Sequence, residues 1–375
     1  RRDPGMKAPV PEEEDGVSTG GETPSRPSRS EQPATPEKKR KFPKHLVETY
    51  DIEALLGQGS FSKVWRCVHR ATGQVRAIKR IDISDFSPRE IAHEVNMMKL
   101  LRHENILTCY DVFLEAQYVN IVVDMFTGGD LIDGLTVHSR ARGRIPDAQL
   151  AHLTRQMMAA IAHVHSFDIV HRDVKGENFL SDRPDIGDPE CRVALADFGT
   201  AARLDHGQLL SDRVGTPAFW APEVWAGEYG TLVDVWAVGV TAMVLLSNAL
   251  PFSNEEETCA TIGVGESPCK IPYFATRPCR DFIVECLAKD PDRRPKAAEA
   301  LKLRWMDTPR PSKRNGSRVA AVVHAVSEVT SIVGDCMGCI LFGVRGAVVG
   351  LFDCVHEICT ELNQESASKP SGKQE

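Results

Sequence analysis

Several features that would assign a chain to a particular class are missing from this sequence. There is no excess of basic residues, since the formal net charge is −7. This charge argues against a nucleic-acid-binding protein, which needs a basic face. The 11 cysteines show no regular spacing over the first 300 residues, no internal repeat stands out, and no apolar signal segment opens the chain. We therefore expect an intracellular protein, cytoplasmic first, with the nucleus or a membrane surface as alternatives.

The N-terminal segment is nearly free of aromatic side chains and rich in Pro, Ser, Glu and Lys. Such a segment cannot bury enough apolar surface to offset its ordering entropy, so we expect a disordered tail over residues 1–48. Its basic run at residues 38–41 is either a solvated linker or a nuclear-localisation patch. The first residue is Arg1 rather than Met, which is compatible with a fragment of a longer protein.

The remainder of the chain changes from strand-like to helical patterns. Tyr50 to Ile83 is strand-like, with β-branched and apolar residues between Gly-containing turns, and 118–123 is a further strand. Helical spacing of apolar residues predicts helices over 88–101, 147–166, 231–247 and 278–288. A strand-rich part followed by a helical part predicts two lobes, with the cleft between them as the natural ligand site.

A glycine-rich stretch, Gly57-Gln-Gly59-Ser-Phe-Ser62-Lys-Val64, lies between two predicted strands. Glycine allows a backbone to approach and cradle a phosphate, although a simple hairpin turn is an equal alternative. Fifteen residues after Val64, a strand ends in Lys79, which can pair with phosphate oxygens or be an ordinary surface residue. Glu94 on the next helix is well positioned to hold this lysine, and Glu90 lies one turn away.

Three further motifs follow in order: His171-Arg172-Asp173-Val174-Lys175-Gly176-Glu177-Asn178, then Asp197-Phe198-Gly199, then Ala221-Pro222-Glu223. With the glycine-rich stretch and Lys79 they resemble the protein-kinase signature set over about residues 50–306. The resemblance implies an α+β, two-lobed kinase fold with an antiparallel β N-lobe and a mainly helical C-lobe. We expect the catalytic domain over residues 49–306, with the N-lobe at about 49–124 and the C-lobe at about 128–306.

The resemblance also implies roles for individual residues. Asp173 resembles the base that orients the substrate hydroxyl and accepts its proton, and Lys175 the charge that stabilises the transferred phosphate. Lys79 should hold the α- and β-phosphates of ATP and pair with Glu94, which stands eleven residues before Asn105 as in kinases. Asn178 and Asp197 resemble the ligands of Mg²⁺. The expected nucleotide contacts are Gly57, Gly59, Ser62, Val64, Ala77, Lys79, Asp124, Phe126 and Asp130.

Other positions match or depart from the kinase pattern. Asp234 resembles the buried aspartate that supports the catalytic segment, Arg294 the partner of Glu223, and Thr216 a threonine that touches the catalytic aspartate. Ser62 replaces the third glycine of the loop, which we expect to adjust nucleotide affinity without abolishing activity. The turn over residues 181–190 is longer than usual and is expected to be an exposed hairpin loop.

The predicted function is transfer of the ATP γ-phosphate to serine or threonine hydroxyls of proteins, since Lys175 resembles the serine/threonine class. Several segments, such as Gly128-Gly129-Asp130-Leu131, resemble the calcium/calmodulin-dependent and calcium-dependent kinases. No EF-hand pattern occurs, so direct calcium binding is not expected. The alternatives are a nucleotide-binding pseudokinase or scaffold, which should lack key catalytic residues, and a small-molecule kinase, which should lack the Ala-Pro-Glu motif.

Substrate choice and regulation can be argued from charge. Asp130 and Glu177 favour a modest preference for Arg or Lys three residues before the acceptor, unless both carboxylates make only structural hydrogen bonds. Arg172 resembles the arginine that receives a phosphorylated residue, and Asp212 already supplies an acid at that position. We expect partial constitutive activity from Asp212, with Ser211 phosphorylation as an additional switch; an ordinary solvated aspartate is the alternative.

Residues 307–375 form a C-terminal extension beyond the kinase resemblance. A basic start precedes valines at helical spacing, which indicates a helix that packs on the protein, inhibits it, or binds a calmodulin-like regulator. The apolar run 336–352 is interrupted by Arg345 and suits membrane association helped by palmitoylation. A zinc site is the alternative for the flanking cysteines, which are Cys336, Cys339, Cys354 and Cys359.

Overall fold

The computed structural model of the protein describes residues 42–58, 62–84, 87–205, 207–259 and 267–311. The N-terminal segment up to residue 41 and the C-terminal extension from residue 312 lie outside these ranges. The predictions for a tail helix, for the apolar run 336–352 and for its flanking cysteines therefore fall outside the described residues, as does Gly59.

Described structure begins with a short helix, α1 (Lys44–Thr49), inside the segment predicted to be disordered. Leu46 on this helix is 0% exposed, and Val47 accepts a hydrogen bond from Arg70 through its carbonyl oxygen. The prediction of disorder up to residue 48 was therefore wrong for these last residues. One buried leucine fixes the helix, and the polar composition of the segment does not reveal it.

The N-lobe contains an antiparallel sheet and one helix, α2 (Pro88–Leu100). The strands are β1 (Tyr50–Gln58), β2 (Ser62–His69), β3 (Val75–Asp82), β4 (Cys109–Leu114) and β5 (Tyr118–Asp124). Their order in the sheet is β1-β2-β3-β5-β4. Helix α2 begins at a capping box between Ser87 and Glu90, and it buries Ile91, Val95 and Met98 in the core. The strand pattern over 50–83, the strand at 118–123 and this helix were predicted, whereas β4 was not.

The C-lobe is mainly helical, as predicted. Its helices are α3 (Leu131–Arg142), α4 (Asp147–His165), α5 (Pro222–Ala226), α6 (Leu232–Ser247), α7 (Glu255–Cys259), α8 (Arg277–Cys286) and α9 (Ala297–Ala300). Two short antiparallel pairs join β6 (Ile169–Val170) to β9 (Ala202–Arg203), and β7 (Phe179–Ser181) to β8 (Val193–Leu195). Trp236 and Trp305 are almost fully buried in the core. Among the residues that the structure describes, no helix combines the length and apolarity needed to cross a membrane.

The long turn between β7 and β8 is not the exposed hairpin loop that the sequence predicted. Ile186 is 0% exposed and packs against Gly134 of α3, where an added Cβ would lie 2.3 Å from the isoleucine Cγ2. The Gln149 side-chain amide of α4 donates to the carbonyl oxygens of Ile186 and Asp188 at 2.6 and 2.9 Å. One apolar residue in an otherwise polar insertion therefore docks the turn between two helices.

The ion pair predicted between Glu223 and Arg294 is present and buried. The guanidinium donates to both carboxylate oxygens at 2.6 and 3.2 Å, and Arg294 is 4% exposed. It also donates to the carbonyl oxygens of Leu232 and Ala288. Because each of these donors is satisfied, the pair joins the start of α5 to the loop before α9 at a modest desolvation cost.

Candidate active site

A single buried carboxylate organises the segment from His171 to Asn178. Asp234, on the first turn of α6, is 1% exposed. Its Oδ2 accepts the backbone N–H of His171 at 2.8 Å and the His165 ring nitrogen at 2.9 Å, and its Oδ1 accepts the backbone N–H of Arg172 at 2.9 Å. Burial raises the pKa of Asp234, but the hydrogen bond and charge of His165, with the other donors, outweigh it and leave the pKa lowered. The carboxylate is therefore charged and fully hydrogen-bonded.

The backbone at Arg172 takes a left-handed conformation, with φ of 70°. A residue other than glycine seldom adopts this backbone conformation, so local contacts must hold Arg172 in it. The bond from Arg172 N–H to Asp234 is one such contact. Gly215 lies against the same residue with φ of 89°, and an added Cβ there would stand 2.2 Å from the Arg172 carbonyl oxygen. Only glycine fits at position 215.

Asp173 lies within a close polar cluster. Thr216 Oγ1 donates to its Oδ1 at 2.7 Å, while Lys175 Nζ lies 2.9 Å from its Oδ2 and donates to Thr216 Oγ1 at 2.7 Å. The Asn178 side-chain amide donates to the Asp173 carbonyl oxygen and Oδ2 at 2.7 and 3.2 Å. The contact expected between Thr216 and Asp173 is thus present.

These donors decide the charge state of Asp173. Burial raises the pKa of its carboxyl, but the hydrogen bonds of Lys175 and Thr216, the lysine charge and the Asn178 amide outweigh burial. The pKa therefore lies below its ordinary value, and the group is a carboxylate at neutral pH. Such a group orients a hydroxyl by accepting its hydrogen bond, and takes the proton only when the oxygen has become acidic.

The β7–β8 hairpin brings Asn178 and Asp197 to the same end of the pair. Asn178 comes directly before β7, and its carbonyl accepts the N–H of Ala196, next to Asp197, at 2.8 Å. The Asp197 side chain is exposed, and its backbone is left-handed with φ of 59°. Because the Asn178 amide nitrogen is used as a donor, the amide oxygen is the atom of this side chain that is left to act as a ligand.

An amide oxygen and a carboxylate are oxygen ligands of the kind that Mg²⁺ takes, usually completed by water and phosphate oxygens. Asn178 and Asp197 therefore fit such an ion chemically. Within the described ranges, no group of three or more His, Cys, Asp or Glu side chains is arranged to hold a metal.

The predicted ion pair in the N-lobe is also present. Lys79 Nζ on β3 lies 3.1 Å from Glu94 Oε1 on α2. Glu90 instead closes the capping box of α2, so its carboxylate takes the N–H of Ser87 at 2.8 Å. Cross-strand partners place Gly57 opposite Val64, and Val64 opposite Lys79, so these three residues follow one another across β1, β2 and β3.

The other expected nucleotide contacts differ in what their side chains do. Ala77 is 5% exposed and pairs with Val123 of β5. The Asp124 carboxylate accepts from Tyr110 Oη at 2.8 Å and from the Thr108 N–H at 3.2 Å, so each of its two oxygens already accepts a hydrogen bond. Ser62 begins β2 opposite Ile81, and the Phe126 ring lies 4.9 Å from the Arg192 guanidinium.

Asp130 caps helix α3. Its Oδ1 accepts the backbone N–H groups of Ile132 and Asp133 at 2.8 and 2.9 Å. One oxygen of Asp130 therefore makes structural hydrogen bonds. Burial and then the Asp130 charge raise the pKa of the neighbouring Asp133. Glu177 is exposed.

Arg172 connects this region to the segment after Asp197. Its Nε donates to the Thr200 carbonyl oxygen at 2.5 Å, and its Nη1 lies 3.8 Å from Asp212 Oδ2. The acidic partner predicted for Arg172 is therefore within ion-pair distance. Asp212 is 76% exposed in its side chain, so the pair is screened by solvent.

One contact beside this site could not be predicted from any pattern in the sequence. His93, the residue before Glu94 on α2, lies with Nε2 2.7 Å from the carbonyl oxygen of Ala201. The two residues are 108 positions apart in the chain. A histidine at this position belongs to no spacing pattern, and its acceptor is a backbone carbonyl, which every residue has.

Comparison with known proteins gives a consistent result. The protein kinase domain family matches residues 50–306, which is more than half of the chain. A Caenorhabditis elegans calcium/calmodulin-dependent protein kinase type 1 is 34% identical over 269 residues, covering 70% of this chain and 75% of the relative. Human serine/threonine-protein kinase H1 is 33% identical over 305 residues, covering 78% and 69%. Chicken serine/threonine-protein kinase SIK2 is 35% identical over 265 residues, covering 69% and 32%.

The matched family, the relatives and the two-lobed fold agree with the motifs in the sequence. They favour an ATP-dependent enzyme over a pseudokinase. The chain therefore belongs to the protein kinase family, as a serine/threonine protein kinase that resembles the calcium/calmodulin-dependent group.

Proposed function

We propose that Asp173 is the catalytic base of this kinase and that Lys79, Glu94, Lys175 and Asn178 complete its catalytic set. The observation that carries the proposal is the cluster around Asp173, in which Lys175 and Thr216 hold both carboxylate oxygens. A fixed carboxylate can orient a serine or threonine hydroxyl for in-line attack on a phosphoryl group. The bond from the hydroxyl oxygen to the γ-phosphorus forms as the bond to the β-phosphate oxygen breaks, and the hydroxyl proton passes to Asp173.

ATP and Mg²⁺ are the proposed partners of the cleft. The carboxylate of Asp197 and the amide oxygen of Asn178 suit a hard cation, which would neutralise phosphate charge when bound. The Lys79 ammonium, oriented by Glu94 at 3.1 Å, suits the phosphates of ATP. Gly57, Ser62 and Val64 are proposed to cover the nucleotide from β1 and β2, and Gly59, outside the described residues, is proposed as a further contact.

We also propose a modest preference for Arg or Lys three residues before the acceptor. Asp130 keeps Oδ2 free of the cap that Oδ1 makes, and the exposed Glu177 lies one residue before Asn178. Asp133 adds a third carboxyl close to Asp130. Acidic groups gathered beside the acceptor position favour a basic peptide by electrostatic complementarity.

The decisive test is phosphate transfer from ATP to a serine peptide by the full chain and by Asp173→Asn. We expect Asp173→Asn to lower kcat by at least about a hundredfold, since base catalysis and hydroxyl orientation are both lost. A peptide with Arg at minus three should exceed its Ala counterpart in kcat/KM by about two- to tenfold.

Asp281→Asn is the matched control, because this aspartate lies on the surface of α8 with 63% of its side chain exposed. It should match the parent. Equal rates of phosphate transfer for the parent and Asp173→Asn would show that Asp173 has no part in the mechanism. Equal rates for the two peptides would remove only the minus-three preference.

For the activation segment, defined here as residues 197–216, we propose that Asp212 provides part of the charge that phosphorylation supplies in relatives. The support is its distance of 3.8 Å from Arg172, whose Nε also holds the Thr200 carbonyl. Phosphorylation of the exposed Ser211 would add negative charge next to it.

We expect Asp212→Ala to lower kcat by about two- to fivefold, which is the range for losing a solvent-exposed ion pair. Asp212→Glu should retain most of the rate, because it keeps the charge. The measurement is peptide phosphorylation by protein that mass spectrometry finds unphosphorylated at Ser211. An unchanged rate of peptide phosphorylation for Asp212→Ala would show that Asp212 is an ordinary solvated residue.

For the C-terminal extension we propose regulation, by autoinhibition or by a calmodulin-like protein, with packing or membrane association of residues 336–352 as alternatives. The support is the basic start and valine spacing in the sequence, together with relatives named as calcium/calmodulin-dependent. We further propose an intracellular, mainly cytoplasmic location, supported by seven free thiols among the described cysteines. Cell fractionation of the full chain tests the location.

Regulation by the extension predicts a rate difference between the full chain and a form ending at Pro311. If the extension inhibits, the shorter form should be faster, and calcium–calmodulin should accelerate only the full chain. The measurement is peptide phosphorylation at equal protein concentration. Equal rates in all four conditions would leave packing or membrane association as the role of the extension.

A further inference from the structure

The contact between His93 and Ala201 joins two elements whose relative position matters for catalysis. His93 lies on α2 directly before Glu94, which pairs with Lys79. Ala201 lies four residues after Asp197 in the activation segment. A half-buried hydrogen bond of 2.7 Å therefore connects the helix that carries Glu94 with the segment that follows Asp197.

The chemistry of the contact fixes its direction. A carbonyl oxygen can only accept, so Nε2 of His93 carries the hydrogen and donates it. Ala201 is 2% exposed, which leaves little access for water to replace this donor. Leaving such a carbonyl without a donor costs more than an average hydrogen bond gains.

The same stretch is held from the C-lobe. Arg172 Nε donates to the carbonyl of Thr200 at 2.5 Å, and Thr200 Oγ1 donates to the carbonyl of His171 at 2.9 Å. The Thr200 carbonyl thus accepts a hydrogen bond from the C-lobe, and the next carbonyl, of Ala201, accepts one from the N-lobe. Hydrogen bonds from both lobes therefore fix the position of the backbone at Thr200 and Ala201.

Helix α2 has few such restraints. Among the described residues, two of its side chains hydrogen-bond to other elements: Glu94 to Lys79, and His93 to Ala201. Its remaining contacts are apolar, through Ile91, Val95 and Met98. Apolar packing tolerates small rotations of a helix better than directional hydrogen bonds do.

We propose that His93 is a positioning residue that fixes the rotation of α2 through Ala201 and so keeps Glu94 directed at Lys79. Neighbouring residues are about 100° apart around a helix, so the two bonds resist rotation from different sides. A rotation that withdraws Glu94 also breaks the His93 bond. Displacement of the activation segment removes the Ala201 acceptor and releases α2. The inference depends on the proposed role of the Lys79–Glu94 pair.

The test separates the hydrogen bond from the ring. His93→Phe keeps an aromatic ring but has no donor, whereas His93→Gln keeps an N–H donor at similar reach without the ring. In the full chain, we expect His93→Phe to lower kcat/KM for ATP by about three- to tenfold, as for the loss of one hydrogen bond. His93→Gln should stay within about twofold of the parent.

A double-mutant cycle asks whether His93 acts through Glu94. If it does, His93→Phe combined with Glu94→Gln should be no slower than Glu94→Gln alone, because coupled residues do not add. His69→Phe is the matched control, since His69 is also a half-buried N-lobe histidine with a hydrogen bond, to Thr72 at 2.9 Å. It should leave kcat/KM for ATP unchanged.

Thermal melting of each variant confirms that the assay temperature lies below its unfolding transition. If His93→Phe does not fold, His93→Leu replaces it as the variant without a donor. Equal kcat/KM for the donor-free variant and the parent would overturn the inference. Equal losses in His93→Phe and His93→Gln, or additive losses in the cycle, would overturn it as well. Failure of the proposed mechanism is a separate result, recognised when the parent and Asp173→Asn transfer phosphate equally.

Discussion

The site depends first on the buried carboxylate of Asp234. It accepts two consecutive backbone N–H groups, of His171 and Arg172, and a ring nitrogen of His165, all between 2.8 and 2.9 Å. These bonds hold Arg172 at a positive φ, and that conformation directs the next residue, Asp173, toward Thr216. Because α6 lies in the middle of the C-lobe core, the rigidity of the core is transferred directly to the backbone of His171 and Arg172.

The N-lobe contributes to the same site through weaker and more reversible contacts. The Lys79–Glu94 pair is partly exposed, and the helix that carries Glu94 buries Ile91, Val95 and Met98 in apolar packing. Hydrogen bonds from His93 and Arg172 to adjacent carbonyls connect this helix to residues 171–178 through the activation segment. The C-lobe side of the site is rigid, whereas helix α2 of the N-lobe can move. This difference would allow the activity to respond to charge at Asp212 or Ser211.

Motifs in the sequence were sufficient to predict the two-lobed fold and much of the site, because their function requires fixed residue types at fixed spacing. Thr216 contacts Asp173, and Lys79 pairs with Glu94, as the resemblance implied. The errors have a common physical origin. Leu46 orders a helix in a polar segment, Ile186 docks an insertion, and His93 binds a carbonyl 108 positions away. Each depends on one side chain and a partner distant in sequence, which local composition and spacing do not report.

Asp234 holds the backbone of His171 and Arg172 in the conformation that directs Asp173 toward Thr216. The most direct measurement is kcat for Asp234→Asn together with its affinity for ATP by calorimetry. The amide NH₂ must face at least one backbone N–H that the carboxylate now accepts, at a cost of about 1–3 kcal/mol. We predict folded protein of lower thermal stability, a kcat lower by at least about tenfold, and nucleotide affinity within about threefold of the parent. A folded Asp234→Asn protein with unchanged kcat would contradict this account.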